Sequence, residues 1–174
     1  MPVDDELNIE TNPDLGQHFL SNPAKLALLI EAAEVQPTDH VLEVGAGIGT
    51  VAEHVPACQS LTVIEYDANL TPHLRRRVPH AQVIQGDALV ILPTARCDVL
   101  LSNLPSKLTP ALVELLPSLN FRLALVTVPS IERLEPLERF FLLEPVTMLE
   151  PDDFQPRQAA RVEIVRVTRV SRET

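Results

Sequence analysis

Val41-Leu-Glu-Val-Gly-Ala-Gly-Ile-Gly-Thr50 is the stretch from which the rest of the chain can be read. Val41 to Val44 have the pattern of a short strand, apolar apart from Glu43. Glycines follow at alternate positions, Gly45, Gly47 and Gly49, and a helix is expected from about Ile48 to Val55, stopped by Pro56. Glycine lets a backbone bend where other residues cannot and lets it approach a ligand closely. A helix beginning at that point would aim free N–H groups at the same ligand. The plain alternative is a tight turn of small residues that holds nothing.

The spacing of the glycines bears on the ligand. A dinucleotide turn has the form G-x-G-x-x-G, and its third glycine would fall on Thr50. The spacing here is G-x-G-x-G, with an acid, Glu43, two residues before Gly45. This E-x-G-x-G-x-G pattern resembles motif I of the class I S-adenosylmethionine-dependent methyltransferases.

On either side of this turn, strand-like and helix-like stretches alternate. Upstream, residues 1–14 are acidic and polar and are expected to be a flexible arm, with residues 15–174 as a single domain. Ser21 or Asn22 can cap a helix from Ala24 to Ala33 whose first turn holds Pro23. Downstream, strands are expected at Leu61–Glu65, Ala81–Gln85, Asp98–Ser102 and Leu123–Val128. Helices are expected at Asn69–Val78, Pro110–Leu116 and Ile131–Phe141, and two closing strands at Val146–Glu150 and Val162–Val170. The alternation predicts an α/β fold with a seven-stranded, mostly parallel sheet and helices on both faces. The closing pair predicts one antiparallel strand near the C-terminus. Ligands of such sheets bind at the carboxyl ends of the strands.

Composition narrows the function classes. The 174 residues are 45% hydrophobic, and no apolar run approaches the length of a membrane span. The N-terminus, Met1-Pro-Val-Asp-Asp-Glu6, has the wrong sign for a leader, so a soluble cytoplasmic protein is expected. Cys58 and Cys97 are far apart, and the five histidines lack ligand spacing, so no metal is expected. A net charge of −10 is opposite to the usual footprint of a nucleic-acid binder. Two basic clusters run against it, Arg75-Arg76-Arg77 and the series Arg157, Arg161, Arg166, Arg169 and Arg172, each of which could equally be solvated surface.

Three polar positions fall at strand ends. Glu65 ends the second sheet strand, 20 residues after Gly45, where an acid can accept both ribose hydroxyls of an adenosine or stand as a solvated carboxylate. Asp87 can accept from an adenine amino group or cap a helix. Asn103-Leu-Pro-Ser106 ends the fourth strand. The Asn103 side-chain oxygen and the Leu104 carbonyl, held by Pro105, could accept the two hydrogens of an exocyclic amine. The nitrogen lone pair would then be free for in-line attack on a sulfonium methyl, without a strong general base. A plain Asx/Pro turn is the alternative.

Taken together, Leu15-Gly-Gln-His-Phe-Leu20, Val41–Thr50, Val63-Ile-Glu-Tyr-Asp67, Gly86-Asp-Ala-Leu89 and Asn103-Leu-Pro105 resemble the rRNA adenine N6-dimethyltransferases in order and spacing. Phe154-Gln-Pro156 and Val162–Val167 are similar to that family's last F-x-P segment and final strand. The resemblance implies a Rossmann-like class I methyltransferase fold, S-adenosylmethionine as cofactor, and the N6 amine of adenine in ribosomal RNA as acceptor. It implies that His18 and Leu20 close over the cofactor, with Glu43, Gly45 and Gly47 in and before the glycine loop. Glu65 would hold the ribose and Asp87 the adenine, Asn103 would lie between cofactor and amine, and Phe154 would stack on the target base. An adenine in helical RNA would have to leave its stack to reach such a site.

Where the family carries an aromatic after N-L-P, this chain has Ser106, which forfeits stacking worth roughly 1–3 kcal/mol per base. The resemblance implies a longer segment before Phe154 than stands here, and it covers about residues 15 to 170, short of the family's helical C-terminal domain. The rival readings are a methyltransferase of this lineage acting on a small molecule or protein, a non-catalytic cofactor- or RNA-binding module, and a nicotinamide-dependent oxidoreductase.

Overall fold

The computed structural model describes residues 9–170. Its strands and helices follow in chain order as β1 (Phe19–Leu20), α1 (Pro23–Ala33), β2 (His40–Val44), β3 (Ser60–Glu65), α2 (Thr71–Arg77), β4 (Gln82–Gln85) and α3 (Ala88–Ile91). They continue as β5 (Val99–Ser102), α4 (Thr109–Leu115), β6 (Leu123–Val128), β7 (Phe141–Leu149), β8 (Phe154–Gln155) and β9 (Val162–Arg169). The seven-stranded sheet has the order β4-β3-β2-β5-β6-β9-β7. Its first five members are mutually parallel, and β9 runs antiparallel between β6 and β7. This is the expected α/β sheet with its inserted antiparallel strand.

Alternation along the strands builds two cores. Val41, Val63, Leu101 and Leu125 face α1, packing with Leu26, Leu29 and Ala33. Leu42, Ile64, Leu100 and Ala124 face the other way, toward Leu112 of α4 and Ala88 of α3. A sheet buried on both faces needs near-continuous apolar strands, and β5 is buried at all four positions. Glu43 is the exception in β2: it sits on the α1 face, paired in register with Leu101, and is only 2% exposed.

Helix α1 starts where Asn22 supplies the cap, its Oδ1 accepting from the Ala24 and Lys25 amides, with Pro23 in the first turn. The same Asn22 donates through Nδ2 to Asp153 Oδ1 at 2.6 Å, and the Ser21 amide donates to the Asp153 carbonyl. Asp153 thus ties the start of α1 to the β7–β8 turn. Beside it, β1 pairs antiparallel with β8, a small second sheet that sequence periodicity does not signal in two-residue strands.

Two expected helices are absent. The segment after the glycine turn is a series of turns with a single 3₁₀ turn at Ala52–His54. Gly49 takes φ +87°, outside the helical region, and Pro56 follows too soon for regular hydrogen bonding to begin again. Residues 131–137 form a 3₁₀ run in which Pro136 removes an amide, and Phe141 already belongs to β7 rather than to a helix. Of the expected N-terminal arm, residues 1–8 lie outside the described residues. Residues 9–14 are tied down: Ile9 packs against Phe19, Ile48 and Leu70, and the Asn12 amide donates to Gln17. Among the described residues no helix is long and apolar enough to cross a membrane.

Candidate active site

A cavity of about 330 Å³ opens at the carboxyl ends of β2, β3, β4 and β5. That volume lies within the range of small-molecule sites. Its floor is the glycine turn, and its sides are Glu65 and Tyr66 after β3, Gly86 and Asp87 after β4, and Asn103, Leu104 and Pro105 after β5. Leu15 to Phe19 cross over it as a strap.

The turn reaches its shape through left-handed backbone at Gly45, Gly47 and Gly49, with φ of +71°, +57° and +87°. What the missing side chains make room for is protein. A Cβ at Gly45 would lie 2.8 Å from the Asn103 carbonyl oxygen, and one at Gly47 would lie 2.7 Å from the Phe19 ring. The glycines therefore let the strap and the Asn103 turn close against the loop. The loop's N–H groups are also not those of a helix N-terminus: the Gly47 amide donates to Glu65 Oε2 at 2.7 Å.

Glu65 is 8% exposed. Its other oxygen accepts from the Asp67 amide at 2.8 Å. Burial raises its pKa above the ordinary value, and these amides, together with that of Tyr66, hold it down in part. A carboxylate has about four acceptor sites, so two remain for hydroxyls. Asp87 caps α3 with Oδ1, which accepts from the Leu89 amide at 2.9 Å. The capping role and a second, free carboxylate oxygen coexist in one exposed side chain.

Glu43 lines the same cavity with its Oε2 buried and without a hydrogen-bond partner. Burial, and then the nearby Glu65 carboxylate, push its pKa up from 4.5 to about 8, against a hydrogen bond from the Ala52 amide. A pocket of only about 10 Å³, room for one water, separates Glu43 from Leu29, Thr127 and Ile164.

The cavity thus collects His18, Glu43, Gly45, Gly47, Glu65, Asp87, Asn103, Leu104 and Pro105. His18 is held over it by a 3.0 Å contact from Nδ1 to the Pro156 carbonyl. Leu20 and Phe154 are not brought there. They are 2% and 4% exposed, lie side by side in the β1–β8 pair, and belong to the core under α1. Ser106 is exposed and starts a 3₁₀ turn.

Residues 8–130 match the family described as "Ribosomal RNA adenine dimethylase". The chain belongs to this family. The ribosomal RNA small subunit methyltransferase A of Thermobifida fusca is 34% identical over 144 residues, covering 74% of this chain and 50% of that protein. The chain spans half or less of the length of the curated relatives it matches. The dimethyladenosine transferase of Plasmodium falciparum superposes with a TM-score of 0.81 at 22% identity, over 88% of this chain and 64% of that one. The 23S rRNA methyltransferase ErmE superposes with 0.76 at 22% identity, over 88% and 70%. At such identity these two likenesses establish the fold, that of class I methyltransferases.

Within the family frame, sequence reasoning misses Gln17, Tyr66 and Lys107. Gln17 is in plain view inside Leu15–Leu20, but only the fold shows it buried against Asp67. Tyr66 is 61% exposed beside Glu65, an aromatic face at the cavity wall. Lys107 lines the cavity and donates to the Asp14 carbonyl at 3.3 Å. Of the C-terminal arginines, Arg157 and Arg161 are exposed, while Arg166 and Arg169 make contacts within the chain. Arg166 pairs with Glu34 at 3.0 Å, and Arg169 lies over the Phe121 and Phe141 rings and donates to the Leu119 carbonyl.

Proposed function

We propose that the cavity binds S-adenosylmethionine and that the chain transfers a methyl group to the N6 amine of an adenine in ribosomal RNA. The observation that carries this reading is the contact between the glycine turn and the Asn103 turn, close enough that a Cβ on Gly45 would strike Asn103. Cofactor cradle and amine acceptors then share one wall. Glu65 offers its two remaining acceptor sites to the ribose hydroxyls, Asp87 its second oxygen to the adenine amino group, and Tyr66 an aromatic face to the same base. Bound S-adenosylmethionine supplies a sulfonium methyl as electrophile. The Asn103 side-chain oxygen and the Leu104 carbonyl accept the two amine hydrogens and turn the lone pair toward that methyl. Geometry and fixed dipoles account for the rate, and Pro105 keeps the Leu104 carbonyl in place.

A second reading shares the cofactor but not the acceptor. Ser106 carries no ring and Phe154 is buried in the core, so neither flank of a target base is stacked in this structure. A small molecule or protein acceptor needs neither ring. Titration calorimetry with S-adenosylhomocysteine and with NAD tests the common part, and binding of NAD alone overturns it. Labelled S-adenosylmethionine offered to undermethylated ribosomal subunits tests the RNA acceptor. Transfer to a metabolite extract but not to the subunits selects the second reading.

A further inference from the structure

The strap over the cavity is joined to the proposed cofactor site by an unbroken run of hydrogen bonds. The Asn12 amide donates to Gln17 Oε1 at 2.6 Å, and Gln17 Nε2 donates to Asp67 Oδ2 at 2.6 Å. The Asp67 amide donates to Glu65 Oε1 at 2.8 Å, and Glu65 Oε2 accepts from Gly47 at 2.7 Å. Asp67 Oδ1 is used as well, by the Asn69 amide at 2.9 Å. Gln17, Asp67 and Glu65 are all buried, where an unmade hydrogen bond costs its full desolvation penalty. The run begins in the strap and ends on the cavity floor, not in either core.

We propose that Gln17 is a positioning residue: through Asp67 it aligns the Glu65 carboxylate, so that closing of the strap over residues 12–18 and occupation of the cofactor cavity form one equilibrium. The inference rests on the cofactor reading above. If ligand binding needs Glu65 in this orientation, and the orientation is favoured by the docked strap, then ligand must stabilise the strap by the amount the strap improves affinity. Beside this run the strap is held by Lys107 at its Asp14 carbonyl, by Gly16 resting on Pro105, by Pro156 at His18 and by Phe19 packed on Ile48 and Leu70.

The donor–acceptor order allows a reversal test. In Gln17→Glu two carboxylates face each other with no donor between them. In Asp67→Asn one of the two donors, the Gln17 side chain or the Asn69 amide, loses its acceptor whichever way the new side chain turns. The double variant, Gln17→Glu with Asp67→Asn, reverses the pair. The new carboxylate at position 17 accepts from the Asn12 amide and from the new side-chain NH₂ at position 67. The side-chain oxygen at position 67 still accepts from the Asn69 amide, so every bond is remade at unchanged net charge. Affinity for S-adenosylhomocysteine is measured at pH 8 by calorimetry, with folding followed by circular dichroism. Each single variant is expected to bind at least about tenfold more weakly, and the double variant within about threefold of wild type. Amide exchange in residues 12–20 of the wild-type chain is expected to slow when S-adenosylhomocysteine is added.

Single variants that bind like wild type overturn the proposal, as does a folded double variant that stays weak, or wild-type exchange that ligand leaves unchanged. A wild-type chain that binds no S-adenosylhomocysteine is a different outcome, because it removes the cofactor reading itself.

Discussion

Glu43 offers the most direct test of how this site is held. Its carboxyl is surrounded by the α1-face core, has an unpartnered oxygen, and has a pKa pushed from 4.5 to about 8 by burial and by Glu65. A raised acid has a definite sign in linkage. Between pH 4.5 and about 8 the folded chain keeps a proton that the unfolded chain releases, so stability falls as pH rises through this window and is flat above it. At about 1.4 kcal/mol per pH unit, the interval amounts to roughly 5 kcal/mol lost by pH 8, and to less than about 1 kcal/mol at pH 5.

Glu43→Gln keeps the shape and removes the titration. Urea unfolding of both proteins is to be followed at pH 5 and at pH 8.5. The variant is expected to be near wild type at pH 5 and more stable by several kcal/mol at pH 8.5; every other carboxyl cancels in the difference, apart from Glu65, which loses a repulsive neighbour and adds to it. A stability difference that is the same at both pH values would refute the reasoning, because it would mean that Glu43 is ionised in the fold, as in water.

Other substitutions probe the remaining links. Gly45→Ala combines φ +71° with a Cβ 2.8 Å from backbone oxygen, so thermal unfolding should show a loss on the order of 2 kcal/mol or more. Asn103→Ala should lower turnover about a hundredfold while S-adenosylhomocysteine affinity, read by calorimetry, stays within a few-fold; unchanged turnover removes Asn103 from the amine. Ser106→Tyr should raise methylation of undermethylated subunits, by up to about a hundredfold if stacking of roughly 1–3 kcal/mol is recovered, and no gain argues for the non-RNA acceptor.

The sheet is legible in the sequence because its strands are apolar runs at regular spacing, and the wall of the cavity is legible because Glu65, Asp87 and Asn103 end those strands. What escapes has local causes. Gly49 falls within a stretch whose pattern suits a helix, but its positive φ belongs to a turn that lets Leu74 approach, a tertiary contact no periodicity encodes. The 3₁₀ run at Ile131–Leu137 has an apolar pattern that also suits a helix, and Pro136 decides against it. The resemblance gives Phe154 to a ligand, yet one ring in an apolar neighbourhood is as easily core, and its pairing with Leu20 depends on a two-residue strand.

The same distinction bears on the acceptor. Methyl transfer to RNA requires both a grip on one base and a path for phosphates, and these are separate physical demands. On the proposed reading, the cofactor side of the site is met by residues whose roles are local: a bent loop, two strand-end acids and a turn bearing carbonyls. Arg166 is engaged on Glu34 and Arg169 lies over two phenylalanine rings, while Arg75, Arg76, Arg157 and Arg161 stay exposed. On the proposed reading, a net charge of −10 adds little long-range attraction to RNA, and discrimination among acceptors would rest on short-range contacts at the cavity mouth, beside Lys107. Ser106→Tyr, beside Lys107, should alter which acceptor is methylated more than how tightly the cofactor is held, whereas the Gln17 reversal should alter cofactor affinity, so the two tests separate the two sides of the site.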